Sequence, residues 1–66
     1  MIKLTVNGLA TDVDAATVAE LVATLGLAGK RIAVERNGEI VPRSRYAETP
    51  LASGDRLEIV GAIGGG

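Results

Sequence analysis

Three consecutive glycines, Gly64-Gly65-Gly66, close the sequence and are the one stretch whose residue type and position point to chemistry. Glycine loses more conformational freedom on ordering than any other residue, so the run is expected to be a flexible tail. Without side chains it passes through a channel too narrow for anything larger. Its end is an α-carboxylate with no Cβ beside it, an acyl group suited to activation by ATP. Adenylation makes AMP the leaving group, and a sulfur nucleophile can then displace it and leave a thiocarboxylate. The rest of the chain offers none of the groups for that work, so an enzyme partner would bring ATP, magnesium and the sulfur. A terminal glycine run is also what an unstructured end or an expression remnant looks like. The tail gains meaning only from the domain that carries it.

No other cluster competes with it. Cysteine and histidine are absent, which excludes a disulfide framework, a Cys/His zinc site and any Cys or His nucleophile or base. Asp12 and Asp14 precede the helix and Asp55 sits in a turn, but paired acid/base work needs a cleft between them. A domain of 66 residues has little room for one, and helix-end and turn chemistry explain them better. Lys30, Arg31, Arg36, Arg43 and Arg45 fall close together, yet Glu35 and Glu39 interleave and Tyr46 is the single aromatic. That is poor material for stacking or tracking nucleic acid, and the net charge of −1 agrees. The turn glycines Gly8, Gly38 and Gly54 form no phosphate-cradling loop. No catalytic or metal-binding residue is expected. Nothing approaches a membrane span and no signal-peptide pattern follows Met1, so the expected location is the cytoplasm.

One small domain must carry the tail, because two of ordinary size would need roughly twice the length. Its core has to come from Val, Ile, Leu and Ala, and its stability should be about 3 to 10 kcal/mol. Ile2, Leu4 and Val6 alternate with polar residues, the period of a half-buried strand. Asn7-Gly8 accepts positive φ at both centres of a type I′ turn. A two-residue loop there pairs Val6 with Leu9, Leu4 with Thr11 and Ile2 with Val13, all on one inward face. Thr17 and Glu20 form a capping box, with the glutamate reaching back to the Thr17 amide. Val18, Leu21, Val22 and Leu25 then make one apolar stripe. Gly26 and Leu27 supply a Schellman ending, so the spacing predicts a helix over 18–25.

Arg31 to Arg36 reads as the next strand, and Asn37-Gly38 repeats the turn signal. That turn sets Arg36 opposite Glu39 and Val34 opposite Val41. Pro42 lacks an amide hydrogen, which puts the strand over 39–43 at a sheet edge. Residues 44–50 look like a loop with one helical turn around Tyr46, and Ser53-Gly54-Asp55 is a turn. Arg56 to Val60 is the last strand, with Leu57 and Ile59 inward. A helix between two hairpins in so short a chain must cross one face of a single mixed sheet. A final strand parallel to the first closes that sheet through a right-handed crossover. The expectation is an α+β fold of the β-grasp, ubiquitin-like kind: a mixed four- to five-stranded sheet with one main helix across one face. Residues 1–63 would form the domain and 64–66 the flexible tail.

The whole chain resembles the bacterial thiamine-pathway sulfur carrier proteins, the ThiS family. The resemblance is carried by Ile2–Gly8, by Thr17-Val18-Ala19-Glu20-Leu21-Val22, and by Val34-Glu35-Arg36-Asn37-Gly38-Glu39-Ile40-Val41-Pro42-Arg43. Gly54-Asp55-Arg56-Leu57-Glu58-Ile59-Val60 and the glycine end complete it. Many relatives end in two glycines and this chain in three, which makes Gly66 the reacting residue. The resemblance implies that an E1-like adenylyltransferase of the ThiF type activates the Gly66 carboxylate with ATP and magnesium. Sulfur from cysteine, through a desulfurase persulfide, would make the thiocarboxylate. Thiazole synthase of the ThiG type would accept that sulfur. The chain would then be a cosubstrate, monomeric when free, binding no cofactor itself, with Gly64 and Gly65 threading both active sites. Val60, Ala62 and Ile63 at the foot of the tail would dock the partners, joined by Arg43 and Arg45 facing acidic patches. Three alternatives stay open: the small subunit of molybdopterin synthase, a protein modifier, and a ubiquitin-like binding module with an inert tail.

Overall fold

Both Asn-Gly dipeptides turn as their residue types demand. Asn7 and Asn37 have φ of 52° and 54°, and Gly8 and Gly38 follow at 85° and 87°, the positive pair that a type I′ turn requires. A computed structural model describes residues 1–61 of the chain. The first turn joins β1 (Ile2–Val6) to β2 (Leu9–Val13), with Ile2 opposite Val13, Leu4 opposite Thr11 and Val6 opposite Leu9. The second joins β3 (Ile32–Arg36) to β4 (Glu39–Val41), with Arg36 opposite Glu39 and Val34 opposite Val41. Both registers are those expected from the turn alone.

Between the hairpins runs α1 (Val18–Thr24). The Thr17 hydroxyl accepts from the Glu20 amide at 3.3 Å. Glu20 Oε1 accepts from the Ala16 amide at 2.7 Å, not from the expected Thr17 amide, so the reciprocal bond closes one residue upstream. The helix ends at Thr24, one residue short of the expected end, with Leu25 as its C-cap. Gly26 at φ 76° turns the chain. The amides of Gly26 and Leu27 donate to the carbonyls of Ala23 and Val22 at 3.0 and 2.9 Å. These are the two bonds of a Schellman motif.

The last strand, β5 (Arg56–Gly61), completes a five-stranded sheet in the order β2-β1-β5-β3-β4. It runs parallel to β1 and antiparallel to β3. Leu4, Val13, Val18, Leu21, Val22, Val34, Val41, Leu57 and Ile59 form the core between sheet and helix. The expected architecture is therefore present, with the central strand being the one that leads to the tail.

Three local expectations are corrected. Leu9 is 72% exposed, although its register partner faces inward. A seven-residue helix is only about 10 Å long and leaves the hairpin tip on the edge strand uncovered. Leu25, last of the apolar stripe, is likewise 40% exposed. The strand expected over 39–43 stops at Val41, because Pro42 starts a 3-10 helix over Arg43–Glu48 in place of a single turn. That helix carries the half-buried Tyr46 against the core. The segment after it is tied to the start of α1 by Val18 N–H to Thr49 O at 3.0 Å and Leu51 N–H to Ala16 O at 2.9 Å. The expected boundary between domain and tail at residues 63 and 64 lies outside the described residues.

Candidate functional site

The strand that leads to the tail is held more firmly than its ladder bonds alone would allow. Odd and even residues of β5 face different neighbours. Asn7 N–H reaches Leu57 O at 2.8 Å on the β1 side, and Asn37 N–H reaches Arg56 O at 2.8 Å on the β3 side. Three polar side chains add to this. Asn7 Nδ2 donates to Ile59 O at 3.0 Å, and Asn7 Oδ1 accepts from Ile59 N–H at 2.8 Å. Asn37 Oδ1 accepts from the Arg56 amide at 2.9 Å, while its Nδ2 donates to Asp55 Oδ1 at 3.0 Å. Each turn asparagine thus grips the last strand as well as making its own turn.

Asp55 stands where β5 begins and is the one buried charged residue among those described, 6% exposed. Its carboxylate accepts from Arg36 Nε at 2.8 Å, Arg36 Nη2 at 3.4 Å, Asn37 Nδ2 at 3.0 Å and the Ala52 amide at 2.8 Å. Burial by itself pushes the carboxyl up. The hydrogen bonds from Asn37, Ala52 and Arg36, together with the Arg36 charge, outweigh burial and hold it below its ordinary value. Reading Asp55 as simple turn chemistry missed this network, because Arg36 and Asn37 lie 19 and 18 positions away. Only the fold brings them together.

With Leu57 and Ile59 buried, the alternate residues of β5 face away from the helix. Val60 accordingly lies on the open face, 56% exposed, directly opposite Ala33 of β3. Ile40, also exposed, lies opposite Glu35 on the same face. Arg43 and Arg45 belong to the 3-10 helix, which packs against α1 on the covered side. Arg43 Nη2 donates to the Lys30 carbonyl at 3.3 Å, and Arg45 pairs with Glu48 at 3.1 Å. The fold therefore does not join these arginines to Val60 in one patch. Ala62, Ile63, Gly64, Gly65 and Gly66 lie outside the described residues.

Among the described residues no group of carboxylates could hold a metal ion, and no helix is long and apolar enough to cross a membrane. One open surface groove, about 380 Å³, lies between β4 and the 3-10 helix and is walled by Arg36, Glu39, Ile40, Arg45 and Glu48. It presents charges of both signs, and its Thr49 hydroxyl donates to the Arg45 carbonyl at 2.7 Å. What the domain can do chemically is hold one strand rigidly and present its end.

A five-stranded mixed sheet with a single crossing helix, whose central parallel strand leads to the chain's glycine end, defines a β-grasp domain of the ubiquitin-like class. A model of the ThiS family matches residues 4–66. The chain is 43% identical over 53 residues to the sulfur carrier protein ThiS of Bacillus subtilis, covering 80% of each. It overlays on the crystal structure of the thiamine biosynthesis protein ThiS from Geobacter metallireducens with a TM-score of 0.83 at 38% identity, covering 98% of this chain and all of that one. It is also 49% identical over 65 residues to the thiazole synthase of Paramagnetospirillum magneticum, and there 97% of this chain spans only 20% of that protein. A second thiazole synthase, from Magnetococcus marinus, matches at 40% over the same share. The chain belongs to the ThiS family.

Proposed function

We propose that this chain carries sulfur for thiazole formation in thiamine biosynthesis, as a protein cosubstrate. The observation that carries the reading is the path of β5. It is the central strand of the sheet, clasped by two hairpin turns, and ends at Gly61, three positions before Gly64-Gly65-Gly66. A rigid strand followed, after Ala62 and Ile63, by three side-chain-free residues is what is needed to deliver a carboxylate into another protein's active site.

In the 66-residue chain Gly66 carries the α-carboxylate. A partner adenylyltransferase, using ATP and magnesium, joins that carboxylate to AMP and releases pyrophosphate. A sulfur nucleophile attacks the acyl carbon and AMP departs. Sulfide leaves the thiocarboxylate directly, whereas a persulfide formed from cysteine by a desulfurase leaves an acyl disulfide, which a second thiol reduces to the thiocarboxylate while itself ending in a disulfide. Thiazole synthase then takes the sulfur. Gly64 and Gly65 thread both active sites, and Val60 with Ala62 and Ile63 forms the apolar footing on which each partner docks. Arg43 and Arg45 make a separate contact with acidic partner surfaces. The two thiazole synthases that contain a segment like this chain favour thiazole synthase over molybdopterin synthase as the acceptor.

The test is an intact-mass spectrum after incubation with ATP, a sulfur donor and the thiamine-pathway adenylyltransferase. A gain equal to one oxygen replaced by sulfur, mapped to Gly66, is expected. Unchanged mass with no pyrophosphate released refutes the reading. Deleting Gly65 and Gly66 should abolish the reaction, whereas a binding module with an inert tail would lose nothing. Val60→Asp should fold, because the side chain is exposed, and should lose sulfur acceptance; normal thiocarboxylate formation by that variant removes Val60 from the docking surface.

A further inference from the structure

We propose that Asn7 is a positioning residue for the tail: its carboxamide stands in for the peptide group that β1 lacks and fixes where β5 leaves the sheet. This inference rests on the sulfur-carrier reading above.

The parallel ladder between β1 and β5 climbs in steps of two, from Thr5 N–H to Asp55 O at 3.0 Å, then Asn7 N–H to Leu57 O at 2.8 Å. The next step would engage Ile59. However, the chain has already turned at Asn7-Gly8, so β1 has no backbone left to offer. Ile59 is 7% exposed, and its N–H and C=O would be left without partners on that side. An unpaired buried peptide group is costly. The Asn7 side chain meets both, donating to the carbonyl at 3.0 Å and accepting from the amide at 2.8 Å. It is a one-residue extension of the ladder made from a side chain.

Two residues of β5, Val60 and Gly61, follow Ile59. Asn7 is therefore the last hold on β5 from the β1 side, while β3 holds the other side through Ala33 opposite Val60. Without it the strand end is fastened along one edge only and can swing about that edge. A swing there moves the point from which the glycines set out, so fewer docked complexes bring the reacting carboxylate into the partner's active site. Asparagine suits the position twice over. It tolerates the φ of 52° that the turn imposes, and its carboxamide sets an N–H donor beside a C=O acceptor, as a peptide group does. Aspartate keeps the tolerance and the acceptor but loses the donor. Glycine keeps the turn and loses both.

The experiment compares wild type, Asn7→Gly, Asn7→Asp and Val13→Ala in adenylation with the partner adenylyltransferase, at a temperature where all four are folded. Val13→Ala lowers stability from β2, away from β5, and controls for stability alone. At saturation Asn7→Gly is expected to lose about tenfold or more in kcat, the scale of loss for sub-ångström to ångström misplacement of a reacting group. Its KM should change less than kcat, within about twofold, because Val60 is still held opposite Ala33 of β3. Asn7→Asp should lie between, and Val13→Ala should keep wild-type kcat. Amide hydrogen exchange should show Ile59 exchanging faster in Asn7→Gly. Wild-type kcat in folded Asn7→Gly, or an Ile59 amide as protected as in wild type, overturns the assignment. If Asn7→Gly does not fold, the same comparison is made with Asn7→Asp. A wild-type chain that is never adenylated refutes the sulfur-carrier reading itself, a result distinct from a variant that reacts normally.

Discussion

Replacing Asp55 by Asn changes one oxygen to an amide and removes a charge, with almost no change of shape. The carboxylate takes four hydrogen bonds from Arg36, Asn37 and the Ala52 amide. A carboxamide offers one acceptor oxygen and turns two donor hydrogens toward groups that are themselves donors. Hydrogen bonds to a charged group are worth about 1.5 to 3 kcal/mol each when broken. Arg36 is partly exposed and can recover much of its share from water, so the expected net loss is about 3 kcal/mol. That is a large fraction of the roughly 3 to 10 kcal/mol that a domain of this size possesses. It corresponds to a fall in Tm of about 12 to 24 °C. Urea unfolding followed by far-UV circular dichroism suits a chain without tryptophan.

The pH dependence separates charge from shape. The folded carboxyl is held below its ordinary value, so its contribution is fully present above the unfolded pKa of about 3.9. It is lost as pH falls through the lower folded value. Wild type should therefore exceed Asp55→Asn by the full amount near pH 7, and the gap should narrow steadily below about pH 4. A gap that stays constant down to pH 2 would show that the cost is packing and not the ion pair. An Asp55→Asn variant as stable as wild type at pH 7 would refute the network's importance outright.

Other substitutions have simpler expectations. Leu21 is fully buried under the sheet, and Leu21→Ala should cost about 2 to 5 kcal/mol, enough to leave much of the chain unfolded at 37 °C in a melting curve. Gly26→Ala meets no atom within 4 Å of the new Cβ. Its cost should be only the backbone strain of φ 76°, about 1 kcal/mol, read as a shift of the urea midpoint with unchanged slope. Arg45→Glu breaks an exposed pair with Glu48 worth under about 1 kcal/mol. Its melting temperature should move by a few degrees at most, so any larger loss of partner affinity in a binding titration belongs to the interface.

Much of this molecule is legible along the chain because its strongest signals are local. Asn7-Gly8 and Asn37-Gly38 set turn type, and turn type sets the register of both hairpins. Thr17, Glu20, Gly26 and Leu27 bound a helix by satisfying its own end groups. The order of those elements leaves few sheets that avoid a left-handed crossover, and the parallel approach of β5 to β1 follows. The glycine run was visible as composition alone. Tertiary structure decided what depends on groups far apart in sequence. Asn7 meets Ile59 across 52 positions, and nothing near Asn7 distinguishes a turn asparagine from one that also completes a ladder. Asp55 is buried only because Arg36 and Asn37 are brought to it. Leu9 alternates correctly and is still exposed, because alternation assigns a side to a residue but the length of α1 decides how much of that side is covered.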